Sequence, residues 1–126
     1  MLISEKQIIA INKWQIEKYS PREMIGVKGP GLLSLCLNKP YQTAFGEEIY
    51  KSTIEKIVAV YTSLLRNHVF YNANKRTALA ALLVMLVNNN ISIDKSNDEL
   101  IDLSLSYVNH ELSDEQVLKI ILDSLI

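Results

Sequence analysis

The chain carries one cysteine, three prolines, four glycines and a formal net charge of only −1. A lone thiol, Cys36, rules out an intrachain disulfide. Within "LLSLCLN" it reads as a small buried hydrophobe, which suits a reducing compartment. Near-zero charge without a basic stripe argues against direct binding of nucleic acid through phosphate neutralisation. Long apolar runs are missing as well: Ala78 to Val87 is the longest and falls well short of the roughly 18–20 residues that span a bilayer. The opening "MLISEKQ" has no basic region followed by an apolar one, so no secretory signal is expected. These absences point to a cytoplasmic protein with no membrane partner.

What is present is apolar and helical in period. Hydrophobic residues make up 48% of 126 residues, and a chain of that size buries roughly two thirds of its unfolded surface. One domain, residues 1–126, is expected. Ser4 and Gln7 have capping-box spacing ahead of a helix from about Glu5 to Tyr19, with Ile8, Ile11, Ile16 and Tyr19 on one broad face and Trp14 at its edge. "SPREMIGVKGPG" must be irregular, "LLSLCLN" is a short helix ending before Pro40, and "KPYQTAFGEE" is either a plain connection or a flap over a site. Ser52 and Glu55 repeat the cap spacing, and apolar residues recur at helical intervals from Ile54 to Leu65. Thr77 to Val87 is apolar almost all round, which predicts a helix enclosed by others. "ISID" is a short strand or extended link. Ser96 with Glu99, and Ser113 with Gln116, open two last helices running to about Asn109 and Leu125. The expected fold is therefore all-α: a compact bundle of about six helices with a short flap and little or no sheet.

One stretch does not fit a core. "HVFYNANKR", His68 to Arg76, sets a histidine, two asparagines and two cations against the most apolar helix of the chain. The free N–H groups and dipole of a helix start bind anions readily. Lys75 and Arg76 are disfavoured in a first turn unless a strongly negative group, such as a polyphosphate, completes the site. His68 lies upstream, where an imidazole can take a proton from an attacking hydroxyl. Phe70 can pin the loop to the core, and Asn72 and Asn74 can tie the loop together or touch a ligand. Base, anion hole and cation clamp suggest transfer of a phosphorus-centred group. The plain alternatives are a structural histidine, a solvated basic face and asparagine caps. His110, in "YVNHEL", reads as a surface or capping residue.

At these residues the chain resembles the Fic/Doc superfamily, and within it the Doc (death-on-curing) toxins. The family motif runs His, any residue, Phe, any residue, an acid, Ala or Gly, Asn, Gly or Lys, and Arg. Here His68, Phe70, Ala73, Asn74, Lys75 and Arg76 match. Lys75, where Fic AMP-transferases usually carry glycine, is the Doc-like choice. The likeness extends through "TALAALLVML", "GPGLLSLCLNKPYQTAFGEEIY" and "NNNISI", about Gly29 to Ile93.

The resemblance implies a kinase that moves the γ-phosphate of ATP, with Mg²⁺, to a threonine of elongation factor Tu and halts translation, and that a small cognate antitoxin neutralises. By that likeness His68 would be the general base, and Asn74, Lys75 and Arg76 would bind nucleotide phosphates. "KPYQTAF" would be the flap holding the target segment. One position departs: the acid that helps hold the metal falls at Asn72, which lacks a negative charge. A deliberate taming substitution, a slower natural enzyme and a non-catalytic binding relic all fit that departure; AMP transfer is the remaining alternative activity.

Overall fold

A computed structural model describes residues 2–126. Six helices carry the fold: α1 (Glu5–Tyr19), α2 (Pro30–Asn38), α3 (Thr53–Asn67), α4 (Asn74–Asn88), α5 (Asn97–Val108) and α6 (Asp114–Leu122). The all-α expectation holds, and the boundaries follow local chemistry. Serine hydroxyls at Ser4, Ser52, Ser96 and Ser113 accept from the third residue on, starting α1, α3, α5 and α6. Three of the four are full capping boxes. At the fourth, the Glu55 carboxylate instead accepts a hydrogen bond from the Ser52 hydroxyl at 2.9 Å. Helix α2 begins earlier than expected because Pro30 sits at its first position, where a missing N–H costs nothing. α6 stops at Leu122, and the tail forms a bridge between Leu125 and Ile93.

The enclosed helix is α3, not α4. Every residue from Ile57 to Leu65 is buried, because Ala59, Thr62 and Ser63 are small enough to admit neighbours on all sides. α2, α4, α5 and α6 pack on it. The threonine hydroxyl returns to Val58 O at 3.0 Å, so its burial leaves no polar atom unpaired. Helix α4 buries Ala78, Ala81, Leu82, Met85 and Leu86, but Val87 is 72% exposed and Leu79, Ala80, Leu83 and Val84 are only half-buried. Its apolar circumference thus includes an outward stripe that the sequence did not separate from the core side.

Helix α1 corrects a second expectation. Ile8 and Ile16 point inward, but Tyr19 is exposed, and the inward position between the isoleucines belongs to Asn12. Helical spacing alone places Asn12 there, four residues from each. A burying asparagine needs partners, and Asn12 finds them in the motif loop: its Nδ2 donates to Asn72 O at 2.9 Å and to Thr77 Oγ1 at 3.1 Å.

The segment 39–50 is built as a flap. A 3₁₀ turn at Lys39–Tyr41 leads into a hairpin, β1 (Thr43–Ala44) paired antiparallel with β2 (Glu47–Glu48). Phe45 and Gly46 both take positive φ, 54° and 81°, as a two-residue hairpin turn requires. The return strand is anchored by Lys56 of α3, whose ammonium donates to Tyr50 O at 2.5 Å and pairs with Glu48 at 3.4 Å.

Candidate functional site

The loop between α3 and α4 is held from three directions. Val69 and Phe70 are fully buried below it. On its outer side, Lys28 and Gly29 donate their N–H groups to Val69 O at 2.8 and 3.1 Å, and Tyr71 N–H donates to Gly26 O at 3.2 Å. Across its neck, Asn74 Oδ1 accepts from Phe70 N–H and Asn74 Nδ2 donates to Phe70 O, both at 2.9 Å. The Asn74 amide therefore clips the loop to the helix it precedes. Asn74→Ala leaves both Phe70 groups without that partner, and a loss of about 2–3 kcal/mol in unfolding free energy by urea titration is expected.

The loop ends at Ala73, whose φ of 61° and ψ of 30° are left-handed, and the helical Asn74 follows. Alternation of left- and right-handed residues turns successive N–H groups toward one concavity, an arrangement that receives anions. The first helical N–H with a backbone partner is that of Thr77, to Ala73 O at 2.9 Å. Those of Asn74, Lys75 and Arg76 have none, and no side chain caps this helix. A left-handed alanine costs about 1–2 kcal/mol; here the Asn74 clip on one side and the Asn12 hydrogen bond to Asn72 O on the other hold it in place.

His68 ends α3, also in the left-handed region at φ 47°. Its side chain is exposed and makes no hydrogen bond within the described residues. Together with residues 71–76 it lines one cleft of about 330 Å³. The imidazole and the open start of α4 thus share a single space, as the motif spacing suggested.

The other site residues divide by what they already hold. Lys75 is exposed and has no ion-pair partner among the described residues. Arg76 is engaged: its Nη2 donates to Ser20 Oγ at 2.9 Å and meets Glu23 Oε1 at 3.3 Å, while Nη1 reaches Gln15 O at 3.3 Å. It braces the first turn of α4 against the end of α1, and its backbone N–H remains open to a ligand. Asn72 donates from Nδ2 to Met24 O at 3.1 Å, which leaves Oδ1 unpaired. No group of three or more His, Cys, Asp or Glu that could hold a metal lies among the described residues. A divalent ion at this site would thus rely on Asn72 Oδ1 and on oxygens supplied by a ligand.

No described helix is long and apolar enough to cross a membrane. The residues sequence reasoning missed are Asn12, which carries the loop from beneath, and Glu23, which holds Arg76. Asn12 is legible from helical register; Glu23, in an irregular segment, has no periodic signal to reveal it.

Comparison with known proteins shows what the whole chain resembles. The Fic/DOC family model matches residues 2–86. The chain is 30% identical over 112 residues to a protein kinase doc of Escherichia phage P1, covering 88% of this chain and 85% of that one. It is 36% identical over 67 residues to a toxin Doc of Mycolicibacterium smegmatis, a match spanning 53% of this chain and 52% of the relative.

Proposed function

The chain belongs to the Fic/Doc family, and from that premise we propose that it is a Doc-like toxin that transfers the γ-phosphate of ATP to a protein hydroxyl. One observation carries the reading: His68 and the uncapped start of α4 line the same cleft. The N–H groups of Asn74, Lys75 and Arg76, with the Lys75 ammonium, receive phosphate oxygens. His68 takes the proton of the acceptor hydroxyl as its oxygen bonds to phosphorus and the bond to the departing ADP oxygen breaks. Asn72 Oδ1 would be the protein's own ligand to Mg²⁺, which would supply charge neutralisation at the nucleotide phosphates. Elongation factor Tu is the proposed target, and the cytoplasm the proposed compartment.

AMP transfer is the second reading, and Lys75 disfavours it, since the family's AMP-transferases usually carry glycine at this motif position. Incubation of the purified protein and elongation factor Tu with Mg²⁺ and ATP, labelled at either the α- or the γ-phosphate, separates the two. Label from the γ position is expected. Label from the α position makes the protein an AMP-transferase, and none from either sinks both.

The proposed partner is a small antitoxin that lays a helix on the outward stripe of α4. Leu79, Ala80 and Leu83 there form a shallow groove of about 280 Å³ with Gln15 and Tyr19 of α1 and Ile101 of α5. Burial of that stripe would complete the packing that α4 lacks on this face. Leu83→Asp is expected to leave the toxin active and abolish its rescue by the co-expressed antitoxin; retained rescue would place the antitoxin elsewhere.

A further inference from the structure

Among the described residues Asn12 is the one buried side-chain amide; the other buried polar side chains are hydroxyls. Thr62, Ser104 and Ser124 return theirs to carbonyls four residues back, so each is satisfied within its own stretch of chain. Asn12 is only 1% exposed, and both bonds of its amide leave α1 altogether. Nδ2 donates to Asn72 O at 2.9 Å and to Thr77 Oγ1 at 3.1 Å. The orientation of the amide is forced, because Asn72 O can only accept. One NH₂ group thus ties the end of the motif loop to the first turn of α4, and its two partners bracket Ala73 to Arg76.

A trans peptide is planar, with its C=O and N–H on opposite sides, and the described residues contain no cis bond. With Asn72 O turned inward to α1, the N–H of Ala73 points outward. That N–H has no hydrogen-bond partner among the described residues, and Ala73 is half-buried and lines the His68 cleft. Alanine by itself prefers the reverse. Turning the peptide between Asn72 and Ala73 over by half a turn carries φ of Ala73 from 61° to about −120°, a region open to any residue, and relieves its left-handed strain. The bond from Asn12 opposes that turn, since it would swing Asn72 O away from its donor.

We infer that Asn12 is a positioning residue for phosphate: by holding Asn72 O inward it holds the Ala73 N–H outward, as a fourth donor beside those of Asn74, Lys75 and Arg76. A left-handed Ala73 followed by a right-handed Asn74 is an arrangement in which successive N–H groups converge on one anion. Asn12 touches no ligand and acts only through the peptide that it orients. The inference rests on the anion-binding reading of the cleft, and adds to it one donor and the buried side chain that aims it.

The test uses inorganic tripolyphosphate, without nucleotide or metal, titrated into ¹⁵N-labelled protein and followed through the assigned amide resonances. The Ala73 amide proton should move downfield together with those of Asn74 and Lys75. Asn12→Leu keeps a similar shape and donates nothing. It should weaken tripolyphosphate binding about tenfold by calorimetry, the worth of one hydrogen bond to a charged group, and abolish the Ala73 shift. Adding Ala73→Gly to that variant should recover most of the affinity, because glycine takes the left-handed conformation without strain and the anion alone can then select it. An asparagine that merely stabilises the fold predicts no such rescue. A stationary Ala73 amide while Asn74 and Lys75 shift, affinity that Asn12→Leu leaves intact, or a loss that Ala73→Gly does not mend overturns the inference and leaves the anion site standing. Absence of tripolyphosphate binding by the wild type overturns both. If Asn12→Leu does not fold, the wild-type spectrum alone decides.

Discussion

His68→Ala should lower transfer from ATP by about 10²–10⁴-fold while leaving ATP affinity close to wild type, because the two functions rest on different atoms. The proposed anion site consists of uncapped backbone N–H groups at the start of α4 and the Lys75 ammonium, none of which depends on the imidazole. The proposed base is His68, whose exposed ring borders the same cleft. Single-turnover transfer at saturating ATP reads the first quantity and calorimetry the second. His68→Asn is the matched control, since asparagine tolerates the left-handed backbone at φ 47° and cannot serve as a base near neutral pH. Both variants should fold, be equally inactive and bind ATP. Transfer retained by either would remove His68 from the chemistry, whereas loss of ATP binding with transfer would make the residue structural.

Helix existence and most starts were legible because serine caps and apolar period agree at α1, α3, α5 and α6. The neighbourhood of the motif was legible for a different reason. A polar cluster beside an apolar helix is a local conflict, and such conflicts mark candidate functional sites. What was not legible was which helix lies innermost. α3 reads as amphipathic because Thr62 and Ser63 look polar, yet both are buried. α4 reads as enclosed because its outer stripe is as apolar as its inner one. In each case residue type misled because burial is decided by neighbours distant in sequence. The same limit hid the division of labour within the motif. Spacing brought Asn74, Lys75 and Arg76 together, but only the fold reveals that Asn74 clips Phe70 and Arg76 holds Glu23, so that the free elements are backbone amides and one lysine.

Asn72→Asp should raise Mg²⁺-dependent transfer about tenfold or more, because a carboxylate is a far better ligand for this hard cation than an amide oxygen. The substitution carries a cost that makes it diagnostic. Asn72 Nδ2 donates to Met24 O at 3.1 Å; an aspartate there has no proton to give and sets two oxygens against each other. Without metal the variant should therefore be less stable by about 1–2 kcal/mol, and the segment around Met24 should loosen in hydrogen exchange. With Mg²⁺ and ATP the carboxylate gains a cation partner, so its melting temperature should recover more on ligand addition than that of the wild type. The combination separates two readings of the asparagine. Faster transfer with metal-linked recovery means that the cleft is a working site short of one charge. The same destabilisation without recovery or faster transfer means that Asn72 serves to hold the 20–26 segment to the motif loop, and that metal is recruited by the nucleotide alone.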